Sequence, residues 1–419
     1  MQRVSSRSLP PPVDRPRTER PNPARSRARG APRGSRITTA ALHAGTFAVG
    51  TELFLLPGLI GSVAPAFDVP MGVAGAAFAG FSLAYGLGGP LLHPLVAVVP
   101  ARRILFASIG TFVVAAVVSA AASTIGVLLA AQVLGGLAAS AWGPLSVATA
   151  VATAGADRVG RTLGGFHAAG SLAMITGAPV GLLLARMTSW RVGFGLVAAI
   201  AGIALAALVA RPSAALDPAS AAANRGGPAG RSVRRLAGLR SPAVRGTLMV
   251  TLLVMAASSS VFSYLGVLLA GHSGPLGVEL CLVLFGVAGV VGTWLGGRAA
   301  DRYGGRAVAL PAAGVVIGVT VVLPALVSVA PAVIVAVLAW GLCGWAFLPG
   351  QQHRLITTDP PAATILLALH SSAAQLGMGA GAVVGGLLID AAGVGWLWVV
   401  PLVAGTPAVA GLLAVGRTR

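Results

Sequence analysis

Residues 46–59 read TFAVGTELFLLPGL, an apolar run with one ionisable side chain, Glu52, at its middle. The whole chain of 419 residues carries only 10 acidic residues, so this placement asks for a reason. Extended outward, the run reaches from about 38 to 64. That exceeds the roughly 20 residues needed to cross about 30 Å of hydrocarbon at 1.5 Å per residue. Further runs of this kind follow at about 73–98, 103–122, 125–151, 161–185, 190–211, 245–270, 276–298, 307–326, 331–352, 363–389 and 393–415. With 56% apolar and 9% charged residues, the chain reads as an all-α membrane protein of twelve transmembrane helices rather than as two or three soluble domains. The first run reads as a retained helix and not a signal peptide, because more spans follow and no cleavage site closes it.

A formal net charge of +19 would suggest nucleic acid in a soluble protein, but here its distribution points to topology. Arginines crowd residues 1–37 and 211–245, and Arg102, Arg103, Arg158, Arg161, Arg298, Arg302, Arg306, Arg354, Arg417 and Arg419 fall in or beside every second connection. Arg186 and Arg191 fall on the other side. By the positive-inside rule both termini belong in the cytoplasm, which agrees with an even number of spans. Residues 1–37, rich in Pro, Arg and Ser, cannot bury enough apolar surface to fold and read as a disordered basic cytoplasmic tail able to meet anionic lipid. Residues 212–244 have the same character and read as a cytoplasmic linker between a six-helix bundle at 38–211 and another at 245–415, with 416–419 as a short cytoplasmic end.

The two halves echo each other at an offset of about 204. GLGGPLLHPLVAVVPARR after position 85 falls on GVVGTWLGGRAADRYGGR, and GSLAMITGAPVG, beginning at Gly170, falls on AQLGMGAGAVVG. Six spans per half give the copies the same orientation, a parallel repeat around a central site. Cys281 and Cys343 lie inside spans and read as small packing residues.

Between the eighth and ninth spans lies GGRAADRYGGR, residues 296–306. Gly297 would allow a neighbouring helix close approach, Asp301 could pair with an arginine and meet a helix N-terminus, and Gly304 permits a tight turn. With Arg302 and Arg306, this pattern resembles the signature loop of the major facilitator superfamily, and the resemblance implies a latch that holds one conformation closed on the cytoplasmic face. The first-half copy departs from it. Ala97 and Val98 stand where Asp301 and Arg302 do, Pro100 replaces the turn glycine, and only Arg102 and Arg103 remain. Members similar to chloramphenicol exporters look comparably degraded.

In the fifth span, Gly170, Gly177, Pro179 and Gly181 resemble the glycine-proline motif of the drug/proton antiporter families. The missing side chains let the helix pack closely on a neighbour, and Pro179 favours a bend. The first span, with an acid after a Gly-Thr pair, also resembles those antiporters. Together these segments are similar to the twelve-helix drug/proton antiporter family and its sugar-efflux and chloramphenicol-efflux branch over nearly all of 38–415.

An ionised carboxylate in hydrocarbon costs at least a few kcal/mol. Glu52 is therefore expected to face the bundle interior and to act as the proton-coupling group, binding a proton from one side and losing it to the other. In the fourth span Gln132 stands where this family commonly has an arginine associated with proton coupling. His43, His93, His167 and His370 are alternative titrating groups, although a lone membrane histidine is more often a structural hydrogen-bonder.

Aromatic or polar residues at mid-span, namely Phe47, Phe54, Gln132, Trp142, Phe262, Tyr264, Trp345 and Gln375, are the expected wall of a substrate cavity. The leading reading is a proton-coupled exporter of small amphipathic drug-like or natural-product compounds, acting by alternating access in the plasma membrane, most consistent with a bacterial inner membrane. It is expected to act as a monomer with a small-molecule substrate, protons and the lipid bilayer as partners, without nucleic acid, cofactor or metal. Sugar or nucleoside efflux is the alternative; it would require more hydroxyl-binding groups, and the asparagines, Asn22 and Asn224, lie in the tail and linker. A membrane enzyme would need clustered carboxylates or histidines at a membrane face, whereas the loops are short and the linker holds Asp217 alone among acids.

Overall fold

The computed structural model describes residues 33–154, 158–210, 241–270 and 277–414. Most of the expected tail, most of the expected linker and residues 416–419 lie outside the described residues, as do the side chains of His93 and Ala97. The described chain folds into twelve long helices. In the first half these are α1 (Arg33–Ala66), α2 (Met71–Val98), α3 (Ala101–Ala120), α4 (Ile125–Ala154), α5 (Val159–Met187) and α6 (Trp190–Val209). The second half holds α7 (Pro242–Phe262), α8 (Gly277–Tyr303), α9 (Gly305–Leu326), α10 (Ala330–Thr358), α11 (Ala363–Ala392) and α12 (Val399–Ala414). A short helical turn, Leu265–Leu268, follows α7.

Where the sequence allows a sharp stop, the helices use it. Ser189 accepts a hydrogen bond from the Arg191 amide at the start of α6. Gly304 separates α8 from α9 with φ 86°, a left-handed conformation that a side chain would strain. Several ends fall beyond the apolar runs. Helix α1 begins at Arg33 rather than 38, α8 continues through Arg298 to Tyr303, and α10 continues through Gln351 to Thr358. Backbone hydrogen bonding carries a helix past the hydrocarbon into polar sequence, so hydropathy underestimates its length.

The helix contacts form two sets with one pattern. In the first half α1 packs on α5 and α6, α4 on α2 and α3, and α3 on α6; in the second α7 packs on α11 and α12, α10 on α8 and α9, and α9 on α12. A shift by six helices maps one set onto the other, as two bundles related by a parallel repeat require. Apolar surface gives helices no preference for each other over lipid, so close contact and van der Waals packing must hold them together. Equivalent glycines supply it. A Cβ on Gly177 would lie 2.9 Å from Phe54 Cβ and 3.1 Å from the Thr51 carbonyl, and a Cβ on Gly381 would collide with the Ala256 carbonyl. Gly88 likewise meets Ser140, and Gly292 meets Leu342. Interhelical hydrogen bonds, each contributing about 0.6 kcal/mol, add to this: Trp142 Nε1 donates to Thr46 Oγ1 at 3.2 Å, and Ser259 Oγ to the Met378 carbonyl at 2.8 Å. Large apolar side chains such as Leu91, Ile203, Val335 and Val403 are left exposed on the outside, as a lipid-facing surface requires.

The halves meet along two seams, α2 with α11 and α5 with α8. We call the face on which α1 begins the tail face and the opposite one the far face. At the far face the Gly72 amide donates to Asp390 Oδ2 at 2.9 Å, Arg186 pairs with Glu279 at 2.8 Å, and Gly61 lies against Val267 of the short turn. The seams continue to mid-span, where Gly86 meets Ser372 and Gly286 meets Ile175. Nearer the tail face, Gln352 of α10 and Ser371 of α11 are exposed in the cleft they share with Leu53 and Phe54 of α1. The halves join from the far face to the middle and leave a cavity between them that opens toward the tail face.

Candidate functional site

The cavity, of about 180 Å³, takes its character from helix positions. On α10, Trp345, Leu348 and Gln352 follow one face toward the tail face; on α11, Met378, Gln375, Ala374, Ser371 and His370 do the same. Helix α7 adds Met255, Ser258, Ser259 and Phe262, α8 adds Phe285, and α1 adds Leu53 and Phe54. Gln352 and Ser371 are exposed, which marks the mouth. The inner end is aromatic. The Phe262 and Phe285 rings lie 4.8 Å apart, both packed on Trp340, whose Nε1 donates to Ser258 Oγ at 2.9 Å. Phe54 and Trp345 face each other across the two halves at 5.8 Å.

Of the expected wall residues, Phe54, Phe262, Trp345 and Gln375 line this cavity. The other four do not. Phe47 lies on α1 outside the lining, and Trp142 is fully buried against Gly45. Tyr264, also fully buried, donates its hydroxyl to the Ala382 carbonyl at 2.8 Å near the far face. Gln132 sits inside the first bundle. The sequence reading missed Ser258, Ser259, Phe285, Gln352 and Ser371. The hydroxyl-binding groups of the cavity are serine and glutamine rather than asparagine. The serine run 258–260 and the i, i+4 pair Ser371 and Gln375 were the available signals.

Glu52 is buried on α1 and faces away from this cavity, although its neighbours Leu53 and Phe54 line it. Successive helical residues point about 100° apart, so one side of α1 serves the cavity and another the core of its own bundle. Glu52 Oε1 accepts from Gln132 Nε2 at 2.8 Å, and the same nitrogen donates to Ser119 Oγ at 3.0 Å. Glu52 Oε2 and Gln132 Oε1 are buried with no hydrogen-bond partner in the protein. The set is a carboxyl, an amide and a hydroxyl, with no cation against the acid among the described residues.

The segment expected as a loop is the last turns of α8 and the first of α9, and in it Gly297 does not take the close-packing role expected of it: a Cβ there would meet nothing within 4 Å, whereas its neighbour Gly296 lies against Ala346. Asp301, Arg302 and Arg103 are exposed, and no ion pair joins Asp301 to another described residue. Arg306 is engaged elsewhere. Its Nε donates to the Leu412 carbonyl at 3.0 Å and a terminal nitrogen to the Leu413 carbonyl at 3.1 Å, so it caps the end of α12. The guanidinium of Arg102 lies 5.5 Å from the Phe106 ring. On α5, Gly177 and Gly181 pack on α1 with Pro179 buried between them, while Gly170 has open space.

The histidines separate clearly. His43 Nε2 is 3.2 Å from the Thr162 carbonyl, with its ring edge-on to Phe166, and His167 is exposed. His370 is buried in the cavity wall, and its Nε2 has no hydrogen-bond partner in the protein.

Comparison with known proteins gives the arrangement its relatives. Residues 42–365 match the family model described as Major Facilitator Superfamily. A chloramphenicol resistance protein of Streptomyces lividans is 33% identical over 258 residues, 61% of this chain and 64% of its own. A probable sugar efflux transporter of Helicobacter pylori is 25% identical over 353 residues, 84% of this chain and 88% of its own. The crystal structure of the nucleoside transporter NupG superposes with a TM-score of 0.70 at 11% identity, over 91% of this chain and 98% of that one, a likeness of fold.

Proposed function

Because the chain belongs to the Major Facilitator Superfamily, we propose that it exports small amphipathic compounds in exchange for protons, by alternating access of a central cavity. It is a multi-pass membrane transporter and not an enzyme. The observation that carries the proton-coupled reading is Glu52, buried on α1 with a neutral amide as its hydrogen-bond donor. A buried charge with no counter-charge costs several kcal/mol, and a proton removes that cost. Gln132 suits both forms. Its amide donates to the carboxylate, and turned over it would accept from the acid, whereas an arginine could only donate.

The export reading draws on the curated relatives, one named for chloramphenicol resistance and one for sugar efflux. In the proposed orientation both termini are cytoplasmic in a bacterial inner membrane, the cavity opens to the cytoplasm, and the end of α8 around Asp301 is a latch not engaged in this conformation. The protein works as a monomer, with 1–37 as a basic tail and 212–244 as a linker. A sugar or nucleoside cargo is the second reading. The polar stripe of Gln352, Ser371, His370 and Gln375 on the cavity wall favours it.

Resistance of cells expressing wild type or Glu52→Gln, scored over a panel that includes chloramphenicol and toxic sugar analogues, tests the reading. Resistance with wild type that the substitution abolishes is the expected result. Resistance equal in the two would remove Glu52 as carrier, and resistance confined to sugar analogues would favour the second reading.

A further inference from the structure

The cavity is graded from mouth to end. Its inner part is aromatic, with Phe54, Phe262, Phe285 and Trp345, and its outer part holds the polar residues of α11. Two of those, His370 at 2% exposure and Gln375 at 9%, each hold a buried polar atom, Nε2 and Oε1, without a hydrogen-bond partner in the protein. Other polar groups nearby are satisfied. Ser258 accepts from Trp340, and Ser259 donates to the Met378 carbonyl. Among the described residues, no carboxylate and no arginine lines the cavity.

We propose that His370 and Gln375 form a subsite for the hydrogen-bonding end of an uncharged cargo, whose apolar end packs among the aromatic residues. An amide oxygen only accepts, so once the Gln375 side chain turns its buried Oε1 into the cavity the group opposite it is an O–H or N–H donor; a neutral imidazole nitrogen takes a second polar group as donor or acceptor. The two residues are five apart on α11, about 7.5 Å of backbone rise at 1.5 Å per residue, within reach of each other's long side chains. A permanently charged cargo would enter a cavity with no fixed counter-charge and lose its hydration there. A site built to hydrogen-bond a donor also rejects the analogue that lacks one, because its own groups are then left unpaired. The inference rests on reading this cavity as the cargo site, but it concerns binding alone.

Binding to the full chain in lipid nanodiscs, with no proton gradient, tests it with three probes on one naphthyl scaffold: a naphthylmethanol, its methyl ether, and the corresponding naphthylmethyl trimethylammonium ion. Wild type is expected to bind the alcohol about 5- to 10-fold more tightly than the ether, the equivalent of one hydrogen bond, and the ammonium ion most weakly. In Gln375→Met the preference for alcohol over ether should vanish with ether affinity unchanged, and unchanged ether affinity also reports an intact cavity. His370→Leu is the second variant and should reduce the same preference. Equal binding of alcohol and ether by wild type, tightest binding of the ammonium ion, or an alcohol preference that survives both substitutions would overturn the proposal. If a variant fails to fold, the wild-type ranking still decides. Binding as expected without resistance or flux would sink the export reading and leave the subsite standing.

Discussion

Arg186 and Asp390 occupy equivalent positions in the two repeats, and each closes its seam at the far face, Arg186 on Glu279 at 2.8 Å and Asp390 on the Gly72 amide at 2.9 Å. One seam is fastened by an ion pair and the other by a capped backbone amide. The first is partly exposed, with Arg186 at 42%, so it contributes at most about 1 kcal/mol. The double substitution Arg186→Ala with Asp390→Ala should shift the population toward a far-face-open state by a few-fold to ten-fold. Distances between spin labels on the far-face ends of α5 and α8 would record the shift, and an unchanged distribution would show that packing alone holds the face shut.

Glycines of α5 should respond unequally although they belong to one motif. Gly177→Leu must displace Phe54 and the backbone of Thr51, at a cost of about 1–3 kcal/mol. Gly170→Leu meets open space and should be tolerated. Melting temperatures of the purified variants would separate them, and equal losses would contradict the packing assignment.

The junction of α8 and α9 offers a similar contrast. Arg306→Ala removes two charge-assisted hydrogen bonds to the Leu412 and Leu413 carbonyls and should lower stability by about 1–2 kcal/mol. Asp301→Asn changes an exposed side chain and should leave stability within about 0.5 kcal/mol, while slowing transport if Asp301 engages only in another conformation. A destabilised Asp301→Asn protein, or one with wild-type transport, would remove the latch from the account.

These contrasts mark where sequence reading succeeds and where it stops. The apolar runs located all twelve helices because a lipid-spanning segment must be apolar along its whole length. The runs misjudged the ends of α8 and α10, where polar residues continue the helix. Which way each side chain points was harder to read. A helix apolar on every side has no amphipathic face, so Trp142, Tyr264 and Trp345 look alike in sequence although only Trp345 lines the cavity. Glu52 stood out as an acid in apolar surroundings, but nothing in the sequence revealed that it faces Gln132 and Ser119 rather than the cavity.

The amide beside the acid gives its own test. Gln132→Leu removes the donor to Glu52 Oε1 and to Ser119 and should reduce proton-driven transport at least ten-fold, with cargo affinity in nanodiscs within two-fold of wild type, since Gln132 does not line the cavity. Impaired binding with normal proton coupling would reverse the roles given to the two sites.

The central claim is that Glu52 carries the transported proton. Its most direct test is proton flux in inverted vesicles on addition of a cargo to which the protein confers resistance, with wild type compared against Glu52→Gln. Wild type should release protons from the vesicle interior as cargo enters, and Glu52→Gln should bind the same cargo without moving protons. Cargo-dependent proton flux of equal size in both would contradict the account.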